Sequence, residues 1–337
     1  YNEAAFIADK IRNIALLDYP TEKLSVVVAC DGCQDRTAEI ARQTLLEPEV
    51  AHLNLRIIEF KKNRGKIAIL NQLIPMLGSE IIVLSDTSAL ISMDALKLAN
   101  EHFLHDETGF VAASYQILKP GSTGEKKYWQ YQRQVKLGEA VLGSPIGVHG
   151  ALYFIRQALF EPLETDTIND DFMIPMRIIK RGYHGKYDTR LISVELEQAS
   201  LNMDQNRRTR IGAGNLQQVV RLFSMLHPKF GGTAFSFFSG KVLRGIMPLI
   251  LVSQLLLNLL LAFQFTEFCV LFILQLLGIT LARISLHWPK GGLPPQRMFT
   301  PLKLAFYLIN GYFSSLLGCF NYLSGRTKSH WTSVSSD

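Results

Sequence analysis

Past residue 240 the chain carries three long uncharged runs in quick succession, a set that one soluble core rarely accommodates. Gly245–Phe263 extends 19 residues without a charge, Phe268–Ala282 extends 15 and Leu304–Ser324 extends 21. A hydrocarbon layer roughly 30 Å thick needs about 20 apolar residues in helical form. The first and third runs therefore read as membrane spans. The second reads as a span continued by Ile284, Leu286 and Trp288 beyond Arg283, with a buried core helix as its alternative. Expected spans fall at about 243–263, 267–287 and 302–323. Lys241 and Arg244 precede the first, and Arg283, Lys290, Arg297 and Lys303 separate the second from the third. By the positive-inside rule both basic regions are cytoplasmic, with the outer turn near Gln264–Glu267. The basic tail Gly325–Lys328 would then fall outside if the third run spans fully, which conflicts with its own charge; either the third run lies in the interface or the rule is weak here.

Charged residues are 19% of the chain and hydrophobic ones 48%, which excludes disorder and argues against a wholly soluble enzyme. The formal net charge of +6 suits an anionic membrane surface or a phosphate-bearing substrate. Nucleic acid is not expected as a partner, since no aromatic platform interleaves the basic residues. Cys269 and Cys319 sit in apolar runs, so the four cysteines do not form a secreted disulfide framework. Cys30-Asp-Gly-Cys33 lies where a redox dithiol would, but no second ligand pair stands near it to complete a zinc site.

Before residue 240, strand-like runs at Leu24–Ala29, Leu55–Phe60 and Glu80–Ser85 alternate with helical spacing over Thr37–Leu46, Ile67–Leu77 and Asp94–Phe103. That alternation predicts an α/β fold with a mostly parallel sheet and helices on both faces. The expected organisation is a catalytic domain at 1–230, an interfacial and membrane segment at 231–325 and a tail at 326–337.

In open α/β sheets ligands bind beyond the carboxyl ends of the strands, and acidic residues stand at two such ends. Asp31 follows the first strand and Asp86 the third. One carboxylate could accept hydrogen bonds from a nucleobase or ribose while the other ligates a hard divalent cation. Asp31 has a plain alternative as the turn residue before Gly32. No P-loop and no GxGxxG is present, so a phosphate would be held by metal and side chains. Asp170 and Asp171 open a helical stretch running to Gly182. Adjacent carboxylates repel, which suits a general base, and helix capping is the alternative. Arg207, Arg208 and Arg210 in Gln205–Arg210 could grip phosphate or lie on anionic headgroups.

In this order the pieces resemble membrane-bound family 2 glycosyltransferases, the group that includes cellulose, chitin and hyaluronan synthases. The resemblance rests on Tyr1-Asn-Glu-Ala4, Leu17-Asp-Tyr-Pro20, Asp31-Gly-x-x-Asp35-x-Thr37, Asn63-Arg-Gly-Lys66 with Leu70-Asn71, and Gly147-Val-His-Gly-Ala-Leu-Tyr153. Asp170-Asp171 with Arg177 and Arg181-Gly-Tyr183, then Gln205-x-x-Arg208 and the ending Gly325–Trp331, complete it. It implies a GT-A-like fold, with an N-terminal strand expected ahead of Tyr1. Asn2, Glu3, Asp31, Lys66, Asp86, Gln205 and Arg208 would lie on the donor side, with Asp31 on the uracil and Arg208 on the diphosphate of a UDP-sugar. Asp86 would ligate Mg²⁺ or Mn²⁺. Asp171, with Asp170 beside it, would be the general base of an inverting displacement. His149 and Gly150 would face a polysaccharide or lipid-linked acceptor. The implied setting is a multi-pass protein of the inner cell membrane, in contact with its lipids, with a cytoplasmic catalytic domain; no export partner can be named.

Three departures qualify the match. Ser88 stands where the family's D-x-D has its second acid, Asp170 replaces a Glu, and Thr209 replaces the Trp of Q-x-x-R-W. Thr209 favours a single-addition lipid glycosyltransferase over a processive synthase. Ser88 favours a non-catalytic membrane component, against which the retained Asp171 and Arg208 argue.

Overall fold

The structure, a computed structural model, describes residues 1–119, 123–197, 201–284 and 300–326. It divides into two compact units, one built from Tyr1–Ala199 with Ser224–Phe237, the other from Ser200–Phe223 and Phe238–Thr327.

In the first unit the order is α1 (Ile7–Ala15), β1 (Val26–Asp31), α2 (Thr37–Thr44), β2 (Leu55–Phe60), α3 (Lys66–Leu73), β3 (Ile81–Ser85) and β4 (Ala89–Ile91). There follow α4 (Ala95–Phe103), β5 (Thr108–Ile117), α5 (Thr123–Val141), β6 (Leu152–Arg156), α6 (Asp170–Lys180) and β7 (His184–Glu195). The helical and extended periods predicted from the sequence thus mark real elements, displaced by a residue or two at their ends except in α3, which ends at Leu73 and passes into a 3-10 turn at Ile74–Met76 instead of continuing to Leu77. β1 and β2 pair in parallel, Val26 opposite Leu55 through Asp31 opposite Phe60. The larger sheet has the order β3-β6-β5-β7-β4. Only β5 and β7 are parallel in it; β3–β6, β5–β6 and β4–β7 are antiparallel. The sheet is therefore mixed rather than mostly parallel. The cause lies in β6, which inserts between β3 and β5 and runs against both. Its Leu152–Ile155 are all buried, and a fully buried strand has the same apolar signature whichever way it runs.

Val111, Ala113, Leu152, Phe154 and Leu191 of the sheet pack against Ala95, Leu96, Ala99 and Phe103 of α4. A second cluster joins Ile7 and Ile11 of α1 to Ala41 of α2 and Val50. Burying such side chains contributes about 1.5–3 kcal/mol each for the larger aliphatics. One polar residue breaks the apolar face of α1: Lys10, between Ile7 and Ile11, is also buried. Late in the unit, α8 (Gly231–Phe237) meets the end of α5, where a Cβ on Gly232 would lie 2.1 Å from the Leu142 carbonyl oxygen.

The second unit holds α7 (Leu201–Arg221), α9 (Leu243–Ala262), α10 (Thr266–Ile284) and α11 (Thr300–Leu323). α7 and α11 cross through small residues. A Cβ on Gly318 would lie 2.1 Å from the Thr209 carbonyl oxygen, and one on Gly212 would lie 2.7 Å from the Ser315 Cα. Such crossings let helix backbones approach closely. α9 and α10 are joined over Phe263–Phe265, beside the turn the sequence predicts, and Asn258 Nδ2 donates to Gln275 Oε1 at 2.9 Å between them. Among the described residues, two helical stretches are long and apolar enough to cross a membrane, Pro228–Ala262 and Thr266–Ile284. The third predicted run forms α11 but does not join them. Asn310, Ser314, Ser315 and Asn321 interrupt its apolar residues. The basic linker at 285–299 and the tail from residue 327, Trp331 included, lie outside the described residues.

Candidate active site

The acidic positions sit on loop and helix ends that tertiary hydrogen bonds draw together in the first unit. Asp86 is the first residue beyond β3, and its N–H donates to the Ala151 carbonyl at 3.3 Å. Asp170 and Asp171 form the first turn of α6, where the exposed N–H groups favour negative charge. Lys66 begins α3. Its ammonium lies 3.1 Å from Asp170 Oδ2 and 3.5 Å from Asp86 Oδ1. Tyr153 on β6 donates its hydroxyl to Asp170 Oδ2 at 3.3 Å. Asp170 is buried and doubly engaged, whereas Asp171 stays partly exposed.

The loop before β6 closes this centre. Val148 N donates to the Asp171 carbonyl at 3.0 Å. Gly147 has φ +70°, and a Cβ there would lie 2.4 Å from Phe172 Cδ2. Gly150 opens the space between the carboxylates, since a Cβ on it would lie 3.3 Å from Asp86 Oδ2 and 3.6 Å from Asp171 Oδ2. Asp86, Asp171, Lys66, Asp170, His149 and Gly150, inferred from four separate stretches of sequence, thus share one neighbourhood.

Charge follows from this packing. Burial alone would raise the Asp86 carboxyl, but Lys66, His149 and Lys10 hold it below the usual carboxylate range. Burial opposes the Lys66 ammonium, yet Asp170, Asp86 and Asp171 more than reverse that and keep it above its usual value. The packing thus stabilises the Asp86 carboxylate and the Lys66 ammonium in their charged forms.

Asp31 ends β1 and is buried. Its Oδ1 accepts from Arg64 N and its Oδ2 from Gly65 N, each at 2.8 Å. It therefore fixes the loop that delivers Lys66, a role its sequence position did not announce. Gly32 makes that approach possible: it has φ +64°, and a Cβ on it would lie 2.2 Å from Asn63 N. Gly32→Ala is expected to destabilise the fold by at least about 2 kcal/mol, from left-handed backbone strain plus overpacking against main chain. A melting temperature equal to that of the parent would contradict this.

Asn2 and Glu3 join the opposite side of the same turn. Asn2 Oδ1 accepts from Gln34 N at 2.9 Å, and Glu3 N donates to Thr37 Oγ1 at 2.8 Å. Burial pushes the Glu3 carboxyl up to about 7, reinforced by Glu197, Asp86 and Glu195. Burial likewise raises the Cys30 thiol to about 11, with Cys33 adding to it, so it is a poor thiolate nucleophile. Asn71 clamps Leu163 through both its amide atoms at 2.8 Å. Arg177 bonds the Pro162 carbonyl at 2.8 Å and pairs with Glu164. Both motif residues thus anchor the segment leading to Asp170. Gln205 and Arg208 lie on α7, in the second unit, and the side chain of Gln205 is outside the described residues.

The sequence reading missed Lys10. Its ammonium donates to Ser85 Oγ and to the Ala89 carbonyl, both at 2.5 Å, and Ser85 Oγ donates to the Ala151 carbonyl at 2.7 Å. It ties α1 to both ends of the turn carrying Asp86. Burial pulls its pKa down to about 8, against the attraction of Asp86 and Glu195. The available signal was a lysine on the apolar face of an amphipathic helix.

No group of three or more His, Cys, Asp or Glu side chains able to hold a metal ion occurs among the described residues. The oxygen chemistry of Asp86 and the space left by Gly150 nevertheless fit a hard divalent cation that takes its remaining ligands from water and phosphate.

A family model described as "Glycosyltransferase like family 2" matches residues 1–214. The chain belongs to this family. The poly-beta-1,6-N-acetyl-D-glucosamine synthase of Staphylococcus aureus strain COL is 25% identical over 231 residues, covering 66% of this chain and 54% of that protein. The synthase of the same name from Staphylococcus epidermidis is 23% identical over 231 residues, with the same coverage. The chain thus spans about half the length of these family 2 relatives. Among solved structures, a mannosyltransferase from Pyrobaculum calidifontis in complex with GDP-Man and Mn²⁺ superposes with a TM-score of 0.70 at 20% identity, over 97% of this chain and 86% of that one. That likeness establishes a GT-A-like fold for this family 2 chain.

Proposed function

We propose that the protein is an inverting glycosyltransferase that moves a sugar from a UDP-sugar to a polysaccharide or lipid-linked acceptor at a membrane. The observation that carries this reading is the pair of carboxylates, Asp86 and Asp171, facing one space across Gly150 while Lys66 holds Asp170 aside. Asp171 takes the proton of the acceptor hydroxyl as that oxygen attacks the anomeric carbon. The bond from that carbon to the diphosphate oxygen breaks in the same displacement, which inverts the configuration. Tyr153 and Lys66 keep Asp170 from competing for the proton. Asp86 would hold Mg²⁺ or Mn²⁺, which would supply positive charge to the departing diphosphate. The assignment of Arg208 to the diphosphate rests on the Q-x-x-R motif alone.

Membrane attachment is supported by the Pro228–Ala262 and Thr266–Ile284 stretches, which leave Leu249, Ile250, Leu256, Leu260, Ile273 and Leu274 exposed. An apolar surface of that extent needs a cover. We place the catalytic unit on the cytoplasmic side from the charges flanking these stretches. Thr209 supports a second reading, a single sugar added to a lipid.

The test is transfer from labelled UDP-glucose, UDP-N-acetylglucosamine and GDP-mannose by the full chain in membranes, with product length analysed. Transfer should require Mg²⁺ or Mn²⁺, stop with EDTA and return on re-addition of metal. A ladder of products supports a synthase; a one-sugar lipid supports the second reading. Absence of nucleotide release from every donor would overturn both.

A further inference from the structure

We propose that Tyr115, Trp129 and His149 form an aromatic floor on which one pyranose ring of the acceptor lies, beside the carboxylate pair. The proposal deepens the transferase reading and rests on it for the word acceptor. Three separate elements bring these rings together. Tyr115 is the residue at which β5 leaves the core: Thr108–Ser114 are all buried and Tyr115 is not. Trp129 comes from α5, and His149 from the loop pinned to α6, next to Gly150. The Tyr115 and His149 rings stack with centroids 3.7 Å apart and planes 21° apart. Trp129 lies 4.4 Å from Tyr115 at 56° and 5.1 Å from His149 at 74°. Tyr128 meets Trp129 edge-on at 5.3 Å.

Core packing does not explain this cluster. The large aromatics of the core, Phe110, Tyr153, Phe154 and Phe237, are fully buried, whereas Tyr115, Tyr128, Trp129 and His149 are each partly exposed. Amphipathic rings gathered at a surface offer an apolar face with polar tips. A pyranose matches that combination, with C–H groups on its faces and hydroxyls around its rim. His149 Nδ1 accepts from Ala151 N at 3.2 Å, so in the neutral ring Nε2 carries the proton and is a donor suited to a sugar hydroxyl. Position selects the acceptor over the donor's base. His149 adjoins Gly150, which faces Asp171, the residue that must meet the acceptor hydroxyl.

Binding decides this without turnover. The full chain in detergent is titrated by calorimetry with β-1,6- and β-1,4-linked N-acetylglucosamine tetramers, with cellotetraose, and separately with UDP. Wild type should bind at least one tetramer. Trp129→Ala and Tyr115→Leu should weaken it about 5–10-fold, the scale of one lost aromatic contact, with UDP affinity unchanged and Trp129→Phe close to wild type. Saturation transfer should fall on the C–H groups of one sugar face in wild type. Wild type binding no tetramer, unaltered tetramer binding in both variants, or weakening of UDP in place of the tetramer would each overturn the proposal. Loss of UDP binding by wild type while the tetramer binds would sink the transferase reading and leave the saccharide floor standing.

Discussion

Asp171→Asn is expected to lower transfer by roughly 10²–10⁴-fold, the contribution of a positioned general base. The amide has the shape of the carboxylate but cannot take a proton. Asp170 cannot substitute, because it is buried, accepts from Tyr153 and is paired with Lys66 at 3.1 Å. The backbone carbonyl of residue 171, which accepts from Val148 N, is untouched by the substitution, so the loop carrying His149 and Gly150 should keep its place. UDP affinity and melting temperature should therefore stay near those of the parent while labelled product disappears. Retention of more than about a tenth of the activity would remove Asp171 from the role of base.

The second large effect is on stability. Lys66→Met leaves the buried Asp170 carboxylate without its cation. Breaking a buried pair by removing one partner costs about 3–5 kcal/mol, because a desolvated charge is left unmatched. The Lys66 side chain is 28% exposed and that of Asp170 10%, so the lower end of that range applies. Removing both charges in Lys66→Met/Asp170→Asn should restore most of the lost stability without restoring transfer. That contrast separates the ion pair as a fold element from the ion pair as part of the site. Denaturant midpoints measure the first and nucleotide release the second. If the double variant were no more stable than Lys66→Met, the cost would lie in packing of the lysine stem and not in the unmatched charge.

Local chemistry made much of this protein legible. The period-2 and period-3.6 stretches locate β1–β3 and α2–α4 because each element must bury one face. The runs after residue 240 announce helices because so few of their residues can face water. Acidic residues at strand ends, and a pair at a helix start, mark the candidate site because those are the places where an α/β fold leaves polar groups unpaired. Glycines told part of the story too. Gly32 with φ +64° sits at the turn after β1, where the sequence already reads as a turn.

Direction and contact were decided only in three dimensions. That β6 runs antiparallel between β3 and β5 is set by which edge its loop reaches, and its buried Leu152–Ile155 say nothing of that. Lys10 becomes part of the site because α1 docks over the turn between β3 and β4. Asp31 turns out to hold Arg64 and Gly65, and Gly150 to leave room between Asp86 and Asp171. A one-dimensional pattern records how often a chain alternates between water and core. It does not record which distant side chains will be neighbours once the core has formed, and the chemistry of this site consists of such neighbours.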